Sequence, residues 1–395
     1  MLMLNENILY LIFKEFQDYD PSLHSCLLVN KIWCETIIPI LWKNPWKSFI
    51  IGKEVSLLNV IISHLSDESK DNLRNKGMII TNQRPLFNYI NFCKHLNLKE
   101  IERLINFKFD DDSDILILKN EIFKLLVNSN TKFTHLCIPH QFDQLHLILE
   151  AKHCFSELEF FSCNDDKVLI ELSEICKPIK ELELIIKIVN YNNEMRTSPP
   201  FLQILRARLV PVRTLISLIK NTSGYLTEIK IDNLSYNDEM KSKRIIQVIY
   251  QNCPTLKYLK LFIQSNNFSE LKNLLINCQY LDVLYIHNDN GWGVEYINNW
   301  DFLFEILTKY SPTSLFKFKF GYENIPKLEQ LKLFFDNWEN RTPVHPMLLQ
   351  TNHWAWYRNH PKEFIDLIDK YKQKGIVKKY EEVDMNSYSI SLLNF

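Results

Sequence analysis

Residues 253–286 read CPTLKYLKLFIQSNNFSELKNLLINCQYLDVLYI. Apolar residues stand at Leu256, Leu259 and Leu261, pass through Leu271, Leu274 and Leu275, and return at Leu281, Leu284 and Ile286. The first spacing alternates, which puts Leu259 and Leu261 on one face of a strand and Tyr258, Lys260 and Phe262 on the other. The second is the spacing of one apolar stripe on a helix. A strand and a helix recurring at a fixed interval form a unit too small to bury its own apolar face. Stacking on the next copy completes the core.

The pattern L-x-x-L-x-L recurs on both sides of this stretch. It reads Phe133-x2-Leu136-x-Ile138, Phe155-x2-Leu158-x-Phe160, Ile179-x2-Leu182-x-Leu184 and Leu202-x2-Leu205-x-Ala207. It continues as Leu226-x2-Ile229-x-Ile231 and ends at Leu315-x2-Phe318-x-Phe320. The central anchors, from Leu136 to Phe318, are 22, 24, 23, 24, 30, 25 and 34 residues apart. The series resembles an irregular leucine-rich repeat array, which implies an α/β solenoid, or horseshoe, over 131–324. Residues 47–130 read as a helical bridge, with apolar runs at 57–65 and 92–105. Residues 325–395 read as a helical C-terminal cap and tail, with helices at 327–338 and 361–373. Cys176, Cys253 and Cys278 each precede the first apolar residue of a repeat by three, the place of a small buried hydrophobe.

Residues 1–46 have a different texture. Leu4, Ile8, Leu9, Ile12, Phe13 and Phe16 form a helical stripe, with Asn5 as N-cap and Glu6 in the first turn. Ser22 is placed to cap a second short helix, and Pro39 to stop a third. The order Leu4-x3-Ile8-Leu9-x2-Ile12-Phe13, Ser22-Leu23-x2-Cys26-x2-Val29-Asn30-Lys31-x-Trp33, Pro39-x-Leu41-Trp42 resembles an F-box, closest to the expanded F-box families of fungi. Asn5 stands where the family usually carries Pro. The resemblance implies docking on a Skp-type adaptor, and through it on a cullin ubiquitin ligase. Carried over by position, Leu4, Ile8, Leu9, Ile12, Leu23, Val29, Trp33 and Pro39 are the adaptor-docking or module-core residues. The alternative is a leucine-rich scaffold without a ligase partner.

Composition argues against several other classes. The 395 residues include seven glycines, and no GxGxxG or GxxxxGK[ST] loop is present, so no nucleotide cofactor is expected. Forty-six basic and 47 acidic side chains leave a net charge of −1, without the basic surplus that phosphate neutralisation needs, so no nucleic acid is expected as partner. No apolar run approaches the ~20 residues that span a bilayer, and the N-terminus does not read as a signal peptide. The expected location is cytoplasm or nucleus, with the nine cysteines reduced. His135, Cys137, His140, His146, His153, Cys154 and Cys163 fall close together, yet the Cys pair that completes a structural zinc site is missing. Asp110–Asp114 resembles a calcium loop, but Ile115 occupies the position where the turn needs Gly. With no nucleophile elbow or kinase set either, no catalytic residue, cofactor or metal is assigned.

The repeat register names a binding face for an unidentified protein target. Its acidic part is Glu157, Glu159, Glu181 and Glu183, and its basic part Arg206 and Arg208. Tyr258, Phe262 and Tyr285 supply an aromatic centre. Lys230, Lys260, Lys317 and Lys319 face the same way. Trp292, between two glycines in a long insertion, is a further candidate contact.

Overall fold

The computed structural model describes residues 5–16, 20–47, 54–80, 83–109, 111–128, 131–139, 148, 152–164, 166–186, 199–232, 239–263, 265–287, 299–321, 326–342, 344–352 and 361–383. The chain divides into two compact units, Met1–Ile179 and Lys180–Phe395.

The first unit opens with three helices, α1 (Glu6–Glu15), α2 (Asp20–Cys26) and α3 (Lys31–Lys43). Asn5 accepts a hydrogen bond from the Asn7 amide at 2.9 Å, and Asn30 from the Trp33 amide at 2.9 Å, so both helices start on a side-chain cap. Two expectations shift here. Helix α2 starts before Ser22, which lies inside it, and Pro39 lies inside α3 rather than ending it. Leu9, Phe13, Leu23, Ile37 and Ile40 form the core of the three helices, with Trp33 edge-on to Phe13 at 5.1 Å.

Helices α4 (Glu54–Ser63) and α5 (Asp67–Asn75) follow. Then come β1 (His95–Asn97), α6 (Leu98–Lys108), α7 (Asp112–Leu126), β2 (His135–Cys137), β3 (Phe160–Cys163) and α8 (Asp166–Ile175). The expected apolar helix at 92–105 is thus a strand followed by a helix. Cys93, Leu96 and Leu98 are all buried at the L-x-x-L-x-L spacing, so strand–helix alternation begins before residue 131.

The three strands pair in parallel, β1 with β2 and β2 with β3. The register of β3 corrects the sequence reading. Leu136 aligns with Phe161, not with Leu158, and the repeat motif is Leu158-x2-Phe161-x-Cys163, all three fully buried. Both Phe160 and Phe161 are apolar, so period two alone leaves the parity of this strand undecided. Glu157 and Glu159 therefore precede the strand instead of lying along its face, and Phe161 points inward.

In the second unit eight parallel strands follow one another in chain order. They are β4 (Glu181–Ile185), β5 (Ile204–Arg208), β6 (Glu228–Asp232), β7 (Tyr258–Phe262), β8 (Val283–His287), β9 (Lys317–Gly321), β10 (Met347–Asn352) and β11 (Val377–Val383). Parallel neighbours need crossover connections. Among the described residues six of these carry helices: α9 (Val212–Asn221), α10 (Glu239–Asn252), α11 (Phe268–Asn277), α12 (Trp300–Tyr310), α13 (Leu328–Glu339) and α14 (Pro361–Gln373). The expected helices near 327–338 and 361–373 are present. Between and after them, β10 and β11 extend the alternation into the segment read as a helical cap.

Register makes the core of this unit a row. Leu182, Leu205, Ile229, Leu259, Leu284, Phe318 and Leu349 are successive cross-strand partners, all buried. Cys253 and Cys278 sit beneath it, and burial pushes both thiols up to about 12, leaving them protonated and unreactive. None of the nine cysteines forms a disulfide.

The β3 register has a direct consequence for stability. Phe161→Ala is expected to cost about 3–5 kcal/mol in chemical denaturation, the range for truncating a buried Phe. Phe160→Ala, on the partly open face, is expected to cost less than half as much. The reverse order would restore the sequence-based register.

Candidate protein interaction surfaces

The N-terminal helices divide their apolar residues between two sides. Of the residues expected to dock an adaptor, Leu9 and Leu23 are spent on the internal core, and Trp33 packs against it. Pro39 is half-buried in α3, whereas Ile8, Ile12 and Val29 are exposed. Leu4 lies outside the described residues. Leu11, Phe16 and Leu28, which the sequence reading did not single out as contacts, are exposed too, Leu28 by 89%. Ile8, Leu11 and Ile12 are neighbours at i, i+3 and i+4, so α1 carries an outer apolar face besides its core stripe of Leu9 and Phe13. A helix apolar on two sides buries only one of them here.

The short sheet of the first unit carries stacked rings. The His95 ring lies on His135 at 3.6 Å, and His135 on Phe160 at 5.4 Å. Burial, then the nearby His135, Lys43 and Lys47 charges, pull the His95 imidazole down to about 3, so it is neutral at physiological pH. Cys154 and Cys163 are buried, and His140 and His146 lie outside the described residues. Among the described residues no group of three His, Cys, Asp or Glu is placed to hold a metal ion. Asp111 of the acidic run caps α7, accepting from the Ser113 and Asp114 amides.

In the second unit the outward residues form rows, because parallel register aligns them strand by strand. One row runs Glu183, Arg206, Lys230, Lys260, Tyr285, Lys319, Gln350 and Glu381. Four cations thus share a row, and like charges opposite one another are unfavourable. Carboxylates of the adjoining rows relieve three of them. Arg206 pairs with Glu181 at 3.1 Å and Glu228 at 3.5 Å, Lys230 with Glu228 at 2.8 Å, and Lys260 with Asp232 at 2.5 Å. Glu181 and Glu183 are half-buried and Arg208 is exposed, as their face positions require.

The expected aromatic centre is present but not open. Tyr285 and Phe262 are buried, and Tyr258 is half-buried. Lysine stems roof the tyrosines. Lys230 Nζ lies 4.7 Å from the Tyr258 ring centroid, and Lys260 and Lys319 Nζ lie 4.9 and 4.8 Å from that of Tyr285. Burial, then Glu228 and Asp232, raise the Tyr258 phenol well above its ordinary value and keep it neutral.

Lys319 differs from its row. It is only 8% exposed. Among the described residues no carboxylate lies within ion-pair distance of it. Burial, then Lys260 and Lys230, pull its ammonium down to about 8. Sequence reasoning placed Lys319 on the face without distinguishing it, because an outward lysine is ordinarily solvated. Trp292 lies outside the described residues.

No family model matches this chain, and no curated protein does. Among solved structures it is similar to the leucine-rich repeat-containing protein LegL7 from Legionella pneumophila, with 14% identity and a TM-score of 0.39 over 62% of this chain and 82% of that one. No helix among the described residues is long and apolar enough to cross a membrane.

A buried ammonium without an acid costs stability. Lys319→Met is therefore expected to stabilise the fold by about 1–2 kcal/mol at pH 7, measured by urea denaturation. The sign is fixed by the depressed pKa: folded Lys319 loses its proton near pH 8, and the unfolded residue in the ordinary lysine range. The gain should shrink as pH rises from about 8 to 10. A destabilised variant at pH 7 would show that the ammonium is compensated.

Proposed function

We propose that this protein recruits a target to an adaptor–cullin ubiquitin ligase. Its N-terminal helices dock a Skp-type adaptor, and its repeat sheet holds the target. The observation that carries the reading is the uncovered apolar face of Ile8, Leu11 and Ile12 on α1 and Phe16 at its C-cap, together with exposed Leu28 and Val29. These residues belong to a module that already has its own core, so their burial requires a partner. The sequence order of an F-box over the same residues names that partner's class.

On this reading the chain performs no chemistry. Holding the target near another subunit's active centre raises its effective concentration, and that proximity is the contribution to rate. The free thiols at Cys176, Cys253 and Cys278 are structural in this scheme; burial pushes each up to about 12. The place of action would be cytoplasm or nucleus, where such ligases work.

The division between core and surface selects the variants. Leu9→Asp would unfold the module and decide nothing. Ile8→Asp with Ile12→Asp, both exposed, should leave the thermal melt within about 2 °C and lower adaptor capture by the full chain at least tenfold, read in a pull-down with a purified Skp-type adaptor. Undiminished capture by the double variant, or no capture by the unaltered chain, would overturn the proposal.

A further inference from the structure

Lys319 sits on β9, 8% exposed, between Tyr285 and Gln350 in the outward row. Its neighbours in charge are Lys260 and Lys230, and both of those already have carboxylates. A second buried group beside it is also incomplete. Gln350, 5% exposed, donates its amide to Glu381 at 2.7 Å, while its Oε1 has no hydrogen-bond partner among the described residues. An ammonium lacking an anion and an amide oxygen lacking a donor thus occupy adjacent positions on paired strands. Each is costly to bury in that state, and an apolar residue at either place would cost nothing of the kind.

Lys260 on β7 and Lys319 on β9 approach the Tyr285 ring of β8 from its two flanking strands, at 4.9 and 4.8 Å. An acidic chain crossing the ring therefore meets an ammonium on each side of it. Gln350 Oε1 is sealed within the row and takes no part in that contact. A bare inorganic ion would neutralise one ammonium, whereas an extended peptide with acids at alternate positions can meet both. Acidic residues at the ends of the row, Glu183 and Glu381, would repel an anionic chain there and favour its seating at the centre.

We propose that the outward row of β7–β9 binds an acidic peptide segment of the target, with its oxyanions held by Lys319 and by Lys260 on either side of Tyr285. The inference rests on reading the sheet as the target-holding face, and is independent of whether α1 docks an adaptor. A carboxylate and a phosphate share this chemistry, and the test separates them.

The experiment is fluorescence anisotropy of the full chain with three labelled twelve-residue peptides of one sequence, carrying Glu, phosphoserine or Gln at alternate positions. Expected are binding of the Glu and phosphoserine peptides at 50 mM salt, at least tenfold weaker binding of the Gln peptide, and weakening of the first two as salt rises. Lys319→Met should lower affinity for both anionic peptides at least tenfold. Lys309→Met, on α12 and paired with Glu305 at 2.6 Å, should change it less than twofold. Equal affinity for Glu and phosphoserine assigns the site to carboxylates, and a hundredfold preference for phosphoserine assigns it to phosphate. Unchanged binding by Lys319→Met, or equal binding of the Gln peptide, would overturn the proposal. Adaptor capture by Lys319→Met should equal that of the unaltered chain, so failure here leaves the adaptor reading standing.

Discussion

Parallel pairing in strict register is the constraint on which the second unit depends. Each strand offers one central apolar side chain to the core, and its partner on the next strand is the corresponding residue of the next unit, from Leu182 through Leu205, Ile229, Leu259, Leu284 and Phe318 to Leu349. Every member after the first is closed off on both sides by its neighbours, and the whole row is buried although no single strand and helix has a core of its own. A slip by one residue would turn the whole row outward and bring Lys230 and Lys260 in. Hydrophobic burial along this row therefore fixes both the fold and which side chains can meet a partner.

The outward face inherits the same order. Register aligns Arg206, Lys230, Lys260 and Lys319 as it aligns the leucines, with no regard for charge. Adjoining rows supply Glu181, Glu228 and Asp232 for the first three. The fourth lies past Tyr285, and among the described residues its ammonium has a ring but no acid. Among the described residues no carboxylate compensates Lys319 at this place in the sheet, where a stable scaffold with no ligand would place a neutral side chain.

Much of this was legible in the sequence. The L-x-x-L-x-L spacing located β4 through β9, because one inward triplet per strand leaves a strong period-two signal. It misplaced β3, where Leu158, Phe160, Phe161 and Cys163 are apolar on both parities and only the pairing with Leu136 decides. It missed β1 because three residues, His95–Asn97, are too few to show a period. The last two strands, MLLQTN and VKKYEEV, were hidden by polar residues in place of the leucine triplet. The lysine row was readable as positions, but the isolation of Lys319 was not, since it depends on which carboxylates the neighbouring strands bring within reach. Likewise, the N-terminal stripe showed that α1 is apolar, and the packing of α2 and α3 decided that Leu9 turns in and Ile8 turns out.

The two surfaces have separate physical origins, an apolar excess on α1 and a charge imbalance on the sheet of the second unit. Hydrogen exchange of the full chain with and without a purified Skp-type adaptor tests the separation most directly. Slowed exchange within residues 6–16 and 27–33, with β4–β11 unchanged, is the result expected. Unchanged exchange in α1, or protection centred on the strands of the second unit, would contradict it.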